Sequence, residues 1–262
     1  MSHKKIPKRK ARKKRTTSSS SGQANSRDVF AEASTLSEFT TILESHVDKE
    51  FVIFRGQQED WPLLPRIARI RPVATLLESE KAMFEAFRRE SAALISPSLP
   101  SDWELLSIAQ HHGMPTRLLD WTRNPLAALW FVVRKPTTST AGVVWMYEPH
   151  DRDVVRATTT ASPFDSGGTR VYEPRHVTPR IRAQAGLFTV HKPRSKSQSF
   201  IALEKNRRQS PKLKKIEVPA SAFKNLRFDL DRCGVNEASL FPDLDGLAST
   251  VGWRHQFLHD EQ

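Results

Sequence analysis

A single cysteine, Cys233, in 262 residues excludes an internal disulfide and any zinc site built from several thiolates. Glycine is scarce too, with ten in all, and no Walker loop, dinucleotide glycine fingerprint or nucleophile elbow is present. Phosphate binding by a backbone cradle is therefore not expected. No stretch approaches the ~20 apolar residues of a membrane span. No apolar core follows the basic N-terminus, so no secretory signal and no membrane partner are expected. With the lone cysteine, these features point to a cytoplasmic protein. Acid is missing from residues 1–21, which hold nine lysines and arginines. That tail supplies nine of the twelve excess positive charges, leaving the body at +3. A body so near neutrality does not suggest a nucleic-acid surface of its own. The tail does. Residues 1–27 read as disordered, because like charges repel and Ser and Gly bury no apolar surface. Residues 4–15 suit nonspecific nucleic acid through counterion release, or serve as a solubilising or localising extension.

What is present begins with helical spacing at Leu36, Phe39, Ile42, Leu43 and Val47. A short apolar strand follows over 51–55, then a proline-containing loop over 61–71. A helix is predicted over 78–94, ended by Pro97 and Pro100. Ser101 or Asp102 caps the next, which Gly113 closes before Pro115 forces an extended chain over 117–120. Asn124 caps a helix with Pro125 at its first turn. That helix, 125–134, is apolar nearly all round and should be central. Strands are predicted over 142–147, 182–191, 199–203 and 213–218, with residues 150–180 a long loop. Helices are predicted over 221–233 and 242–257. Cys233 falls in the first of these and reads as inert core. There is no repeat and no second core. The expected fold is one α+β domain over residues 28–259, helix-rich in its first half and C-terminus, with a mostly antiparallel central sheet.

Residues 109–133 crowd two histidines, an Arg, an Asp, a Trp, a Thr and an Asn beside a run of Leu, Ala, Trp and Phe. Buried polar groups need partners, so this mixture implies a fixed internal network or a lined pocket. Phe51–Gln57 has the same character, an apolar strand ending in Arg55, Gly56 and Gln57. An Arg fork at a strand end suits phosphate or carboxylate, or ties down a loop through carbonyls or Asp120. Gln57 would bind the same ligand or the turn. His111 and His112 point about 100° apart on a helix end, so at most one faces Arg55. Metal binding is not expected, since no third ligand sits at useful spacing and His255 and His259 lack the glutamate of a zincin motif. In an extended segment Thr116 and Asp120 share one face, Arg117 and Trp121 the other. Thr122 and Asn124 cap the buried helix or bind an anion at its N-terminus. Arg182 and Gln184 alternate on the predicted strand.

These segments resemble the FRG domain, a bacterial and phage-associated family. The motifs read Phe54-Arg55-Gly56-Gln57, Ala109-Gln110-His111-His112-Gly113, Pro115 through Thr122, and Asn124-Pro125, with Leu240–Leu247 a late element. The resemblance spans roughly residues 36–253 and implies a domain boundary and a residue set. It also hints at a role in phage defence, and it implies no reaction.

The order of elements is also similar, at fold level, to ADP-ribosyltransferases. That resemblance implies NAD as cofactor or substrate. It implies catalytic roles for Arg55, His111 or His112, and Thr122, with either Gln184 or Glu237 steadying an oxocarbenium-like sugar. Gln57, Thr116, Arg117, Asp120, Trp121, Asn124 and Arg182 would then bind the nucleotide-like, anionic ligand. The chain departs from that pattern, because no x-Glu or Gln-x-Glu motif sits on an obvious late strand. The alternative is a non-catalytic binding or scaffold module whose polar set only stabilises the domain.

Overall fold

The computed structural model describes residues 29–46, 51–95, 100–137, 140–155, 162–175, 178–194 and 199–261. The predicted basic tail and Pro97 lie outside them. Eight strands form one mixed, mostly antiparallel sheet in an α+β domain. They are β1 (Ala31–Glu32), β2 (Ile53–Gln57), β3 (Leu118–Thr122), β4 (Gly142–Tyr147), β5 (Val154–Val155), β6 (Arg170–Tyr172), β7 (Gly186–Val190) and β8 (Leu213–Val218). Their spatial order is β1-β8-β4-β2-β3-β7-β6-β5, with β1–β8 and β5–β6 parallel and the other pairs antiparallel.

The sheet is nearly two sheets. β2 pairs with β4 over five positions and β3 with β7 over five. β2 and β3 share one, Phe54 opposite Thr122. Beyond it the two central strands splay, and the cleft described below opens there.

Helices α1 (Leu36–His46), α4 (Pro125–Val133) and α6 (Phe223–Arg232) cover one face, packing Phe39, Leu129, Val132, Phe223 and Leu226 against Phe54, Val144 and Ile216. α4 is capped by the Asn124 side chain, which accepts from the Leu126 and Ala127 amides at 2.9 and 3.3 Å. It has no polar face to offer solvent, so it lies across β2. The other face gathers Ile53, Leu63, Leu119, Trp121, Trp145 and Tyr147. A third cluster joins α2 (Leu76–Ser91) and α3 (Asp102–His111) to the β3–β7 half through Phe84, Trp103, Leu106, Leu118 and Phe188. Both helices start in reciprocal capping boxes, Thr75 with Glu78 and Ser101 with Glu104.

Several expectations differ. The loop expected over 150–180 carries the short strands β5 and β6, which pair with each other and, through β6, with β7. The strand expected over 182–191 is a short helix, α5 (Pro179–Ala183), followed by β7. Thr178 caps α5 and Ala185, at φ 45°, turns the chain into the strand. Residues 199–203 are not a strand: Leu203 opens a single 3₁₀ turn. Cys233 is not core but the exposed C-cap of α6. α7 (Glu237–Leu240) and α8 (Leu244–Arg254) finish the chain, α8 capped by Asp243.

Candidate functional site

Where β2 and β3 part, a cleft of about 590 Å³ opens. β2 supplies Arg55, the end of α3 supplies Gln110 and His111, and β3 supplies Asp120. The 3₁₀ turn Arg66–Arg69 and helix α5 bring in Arg66, Arg69 and Arg180. Phe54, Phe131, Phe188, Leu64 and Met114 form apolar walls. Four arginines thus line the cleft against one carboxylate, Asp120.

Arg55 crosses the gap between the splayed strands. Its Nη1 donates to the Asp120 carbonyl at 2.7 Å and lies 4.0 Å from Asp120 Oδ2. Its Nε–H is buried and finds no acceptor among the described residues. Burial lowers the pKa of the guanidinium; Asp120 opposes the fall and Arg69 adds to it. Gln110 donates to Asp120 Oδ2 at 3.1 Å and accepts from the Thr116 hydroxyl at 2.7 Å, which fixes its amide. The Asp120 side chain keeps 59% of its exposure, so it is held but open to a ligand.

His111 and Arg180 complete the electrostatics. Burial lowers the pKa of His111, with Arg180 and His112 pushing the same way and Asp120 and Asp243 opposing. Arg180 also has its pKa lowered, first by burial, against the pull of Asp120 and Asp243. Its guanidinium lies over the Phe241 ring at 4.2 Å. Arg66 Nη1 donates to the Gly113 carbonyl at 2.8 Å, and Arg69 Nη2 to those of Pro62 and Leu64. Carbonyls hold these cations in place without neutralising them.

Behind Arg55, Trp121 Nε1 donates to Thr189 Oγ1 at 3.0 Å. The same Thr189 hydroxyl shares a hydrogen bond with His191 Nε2 at 3.0 Å. His191 is buried, and burial together with the Arg55 charge pushes its pKa down to about 3. An unfolded histidine titrates near 6.5, so between about pH 6.5 and pH 3 the unfolded chain binds a proton that the folded one refuses. Stability is complete above that window and falls as pH drops through it. The loss is at most about 1.4 kcal/mol per pH unit, or roughly 2 kcal/mol at about pH 5. Melting curves at about pH 7 and about pH 5 should show this loss for the wild type and a smaller one for His191→Gln.

The cleft brings together Arg55, His111, Asp120, Trp121, Thr122 and Gln184. Of these, Thr122 and Gln184 are tied into the frame. The Thr122 hydroxyl donates to the Gln184 carbonyl at 2.6 Å and accepts from the Asn124 amide at 2.9 Å. Gln184 Nε2 donates to the Leu240 carbonyl at 3.1 Å.

Other expected residues lie elsewhere. Gln57 is buried, its Oε1 accepting from Trp145 Nε1. Thr116 is buried beneath Gln110. Arg117 is locked in a buried pair with Glu80. Asn124 is spent on capping α4. His112 is the exposed C-cap of α3, and Arg182 is exposed on α5 outside the lining. Glu237 opens α7, where its carboxylate accepts from the Ser249 hydroxyl. Sequence reasoning missed Arg66, Arg69, Gln110 and Arg180. Only Gln110 carried a signal, its place beside His111 in the motif.

Among the described residues no group of three His, Cys, Asp or Glu side chains is placed to hold a metal, and no helix is long and apolar enough to cross a membrane. Neither the curated proteins nor the solved structures contain a match to this chain. The family comparison does find one: the FRG domain model matches residues 50–141, roughly a third of the sequence, covering β2, α2, α3, β3 and α4. Arg180, Gln184 and β7 complete the cleft from beyond that stretch. Arg55, Gln110, His111 and Asp120 all fall inside the stretch that matches the FRG domain model, so that stretch supplies the centre of the cleft.

Proposed function

We propose that the cleft binds a phosphorylated, nucleotide-like ligand. The observation that carries this reading is the charge of the lining, four arginines against one carboxylate beside apolar walls. Guanidinium forks match phosphate oxygens two at a time. Phe131 is the partly exposed aromatic ring of the lining, and the volume falls within the range of small-molecule sites. The unmet Arg55 Nε–H is a donor that a ligand or ordered water would satisfy.

NAD belongs to this ligand class. A reaction at its ribose anomeric carbon builds positive charge that a carboxylate can stabilise. The carboxylate at hand is Asp120, with Arg55 and Gln110 orienting it; Glu237 lies outside the cleft. The family's phage-associated setting would make such an enzyme part of a conflict system.

One observation favours a scaffold instead. Arg55, Arg66 and Arg69 each donate to backbone carbonyls and so tie down loops. Arg55→Lys separates the readings, because Lys keeps the charge and loses the planar fork. Calorimetry with NAD, ADP-ribose, ATP and inorganic phosphate is expected to show binding, tighter for the diphosphates than for phosphate alone. The variant is expected to weaken that binding by about 1–3 kcal/mol with little change in melting temperature. A large fall in melting temperature, with no nucleotide bound by the wild type, would overturn the ligand reading and favour the scaffold.

A further inference from the structure

At the mouth of the cleft and beyond it, exposed cations gather on three segments that backbone bonds hold side by side. The first is the loop 61–71. Its Leu63 amide donates to the Glu204 carboxylate at 3.1 Å, and its Leu63 carbonyl accepts from the Leu203 amide at 3.0 Å. That joins it to the second segment, 203–208. Its Ile67 amide bonds the Thr116 carbonyl, while the His191 amide bonds the Arg117 carbonyl next door. That brings in the third, 191–194.

Arg66, Arg69 and Arg71 are exposed on the first segment, and Lys192 and Arg194 on the third. Lys205, Arg207 and Arg208 are exposed on the second. Among the described residues none of these eight is in an ion pair. The neighbouring acids are largely occupied: Glu204 holds the Leu63 amide and Asp60 pairs with Lys215 at 2.7 Å, leaving exposed Glu59. A body charge of +3 thus conceals a lopsided distribution. Trp61 stands within this surface with 43% of its area exposed, beside Pro62, whose carbonyl holds Arg69. Arg66 and Arg69 also line the cleft, so the surface runs into its mouth.

We propose that this face binds single-stranded nucleic acid, independently of what the cleft holds. Cations at loop spacing track a phosphate backbone, and an exposed indole offers a stacking platform for an unpaired base. Among the described residues the face is built of loops and 3₁₀ turns, with no helix or two-stranded ribbon to enter a major groove, so a duplex gains no base contacts from them.

The test uses the full chain and a labelled single-stranded oligonucleotide of about twenty nucleotides, followed by fluorescence anisotropy across a salt series. Arg207→Gln/Arg208→Gln and Lys192→Gln/Arg194→Gln, both pairs exposed and outside the cleft lining, are each expected to weaken binding about tenfold. Each should lower the log–log salt slope by about 1.4, at about 0.7 per lost phosphate contact. Trp61→Ala is expected to weaken binding at least about fivefold and leave the slope alone. Slopes and affinities unchanged in both charge variants would overturn the proposal and assign binding to the basic N-terminus. Absence of binding by the wild type would also overturn it, as would a duplex bound as tightly as the single strand. Nucleotide calorimetry reads the cleft separately, so failure of one reading leaves the other standing.

Discussion

Gly56→Ala is expected to destabilise the domain by at least about 3 kcal/mol, at or beyond the top of the usual over-packing range. Gly56 sits on β2 with its Cα against α4. A Cβ there would lie 1.8 Å from the Ala128 carbonyl oxygen and 2.8 Å from its carbon. Both are backbone atoms of a buried helix, so no side-chain rotation relieves the overlap. Either α4 or β2 must shift, and α4 packs against both β2 and α6. Ala128→Gly should not rescue the variant, because the obstacle is the carbonyl and not the Ala128 methyl. Arg55 is the residue before Gly56, so the displacement that accommodates a methyl also moves the guanidinium out of reach of Asp120. Thermal melting of Gly56→Ala, alone and with Ala128→Gly, checks the first claim, and nucleotide calorimetry the second. A melting temperature near that of the wild type would show that α4 does not lie on β2 as closely as described.

This contact shows what the sequence could and could not convey. The Phe-Arg-Gly run and the apolar helix after Asn124-Pro125 were both legible, and glycine is the residue that permits close backbone approach. That the approaching backbone is α4 depends on tertiary packing, which no local pattern encodes. Legibility was best where local chemistry decides: Asn124 at its cap, Ser101 at its capping box, and Gly142–Tyr147 as a β-branched strand all stand where their residue types put them. It failed at 178–185. Thr178-Pro179 is a cap followed by an N1 proline, a helix start, but the apolar residues Leu187 to Val190 drew the strand back across it. Arg182 and Gln184 were lost to one face by that error. The cleft's arginines were least legible of all. Arg66, Arg69 and Arg180 lie in unpatterned segments, and only the splaying of β2 from β3 makes them neighbours of Arg55.

Arg117, a motif residue expected among the ligand contacts, lies outside the cleft lining. It sits between Thr116 and β3 with 4% of its side chain exposed, facing Glu80 of α2 with 1%. Glu80 Oε1 accepts from the Arg117 amide at 3.1 Å and from Nε at 2.9 Å, and Oε2 accepts from Nη2 at 2.6 Å. The guanidinium also stacks on Phe164 at 4.7 Å. Removing one partner of such a pair leaves a buried charge without compensation. Glu80→Ala is therefore expected to cost about 3–5 kcal/mol in a denaturant titration. Replacing both groups with apolar ones removes that penalty, since desolvating two charges costs roughly what their attraction returns. Glu80→Leu/Arg117→Met should recover most of the loss. Its nucleotide binding should be close to that of the wild type, because Arg117 pins α2 to the start of β3 and points away from the cleft. A single variant as stable as the wild type would show that the pair contributes nothing to the fold. A stable double variant with abolished binding would return Arg117 to the ligand site. Arg55 and Arg117 each stand in one of the chain's two polar motifs and carry the same charge; what separates them is that Glu80 neutralises Arg117, while Arg55 shares a single exposed carboxylate with Arg180.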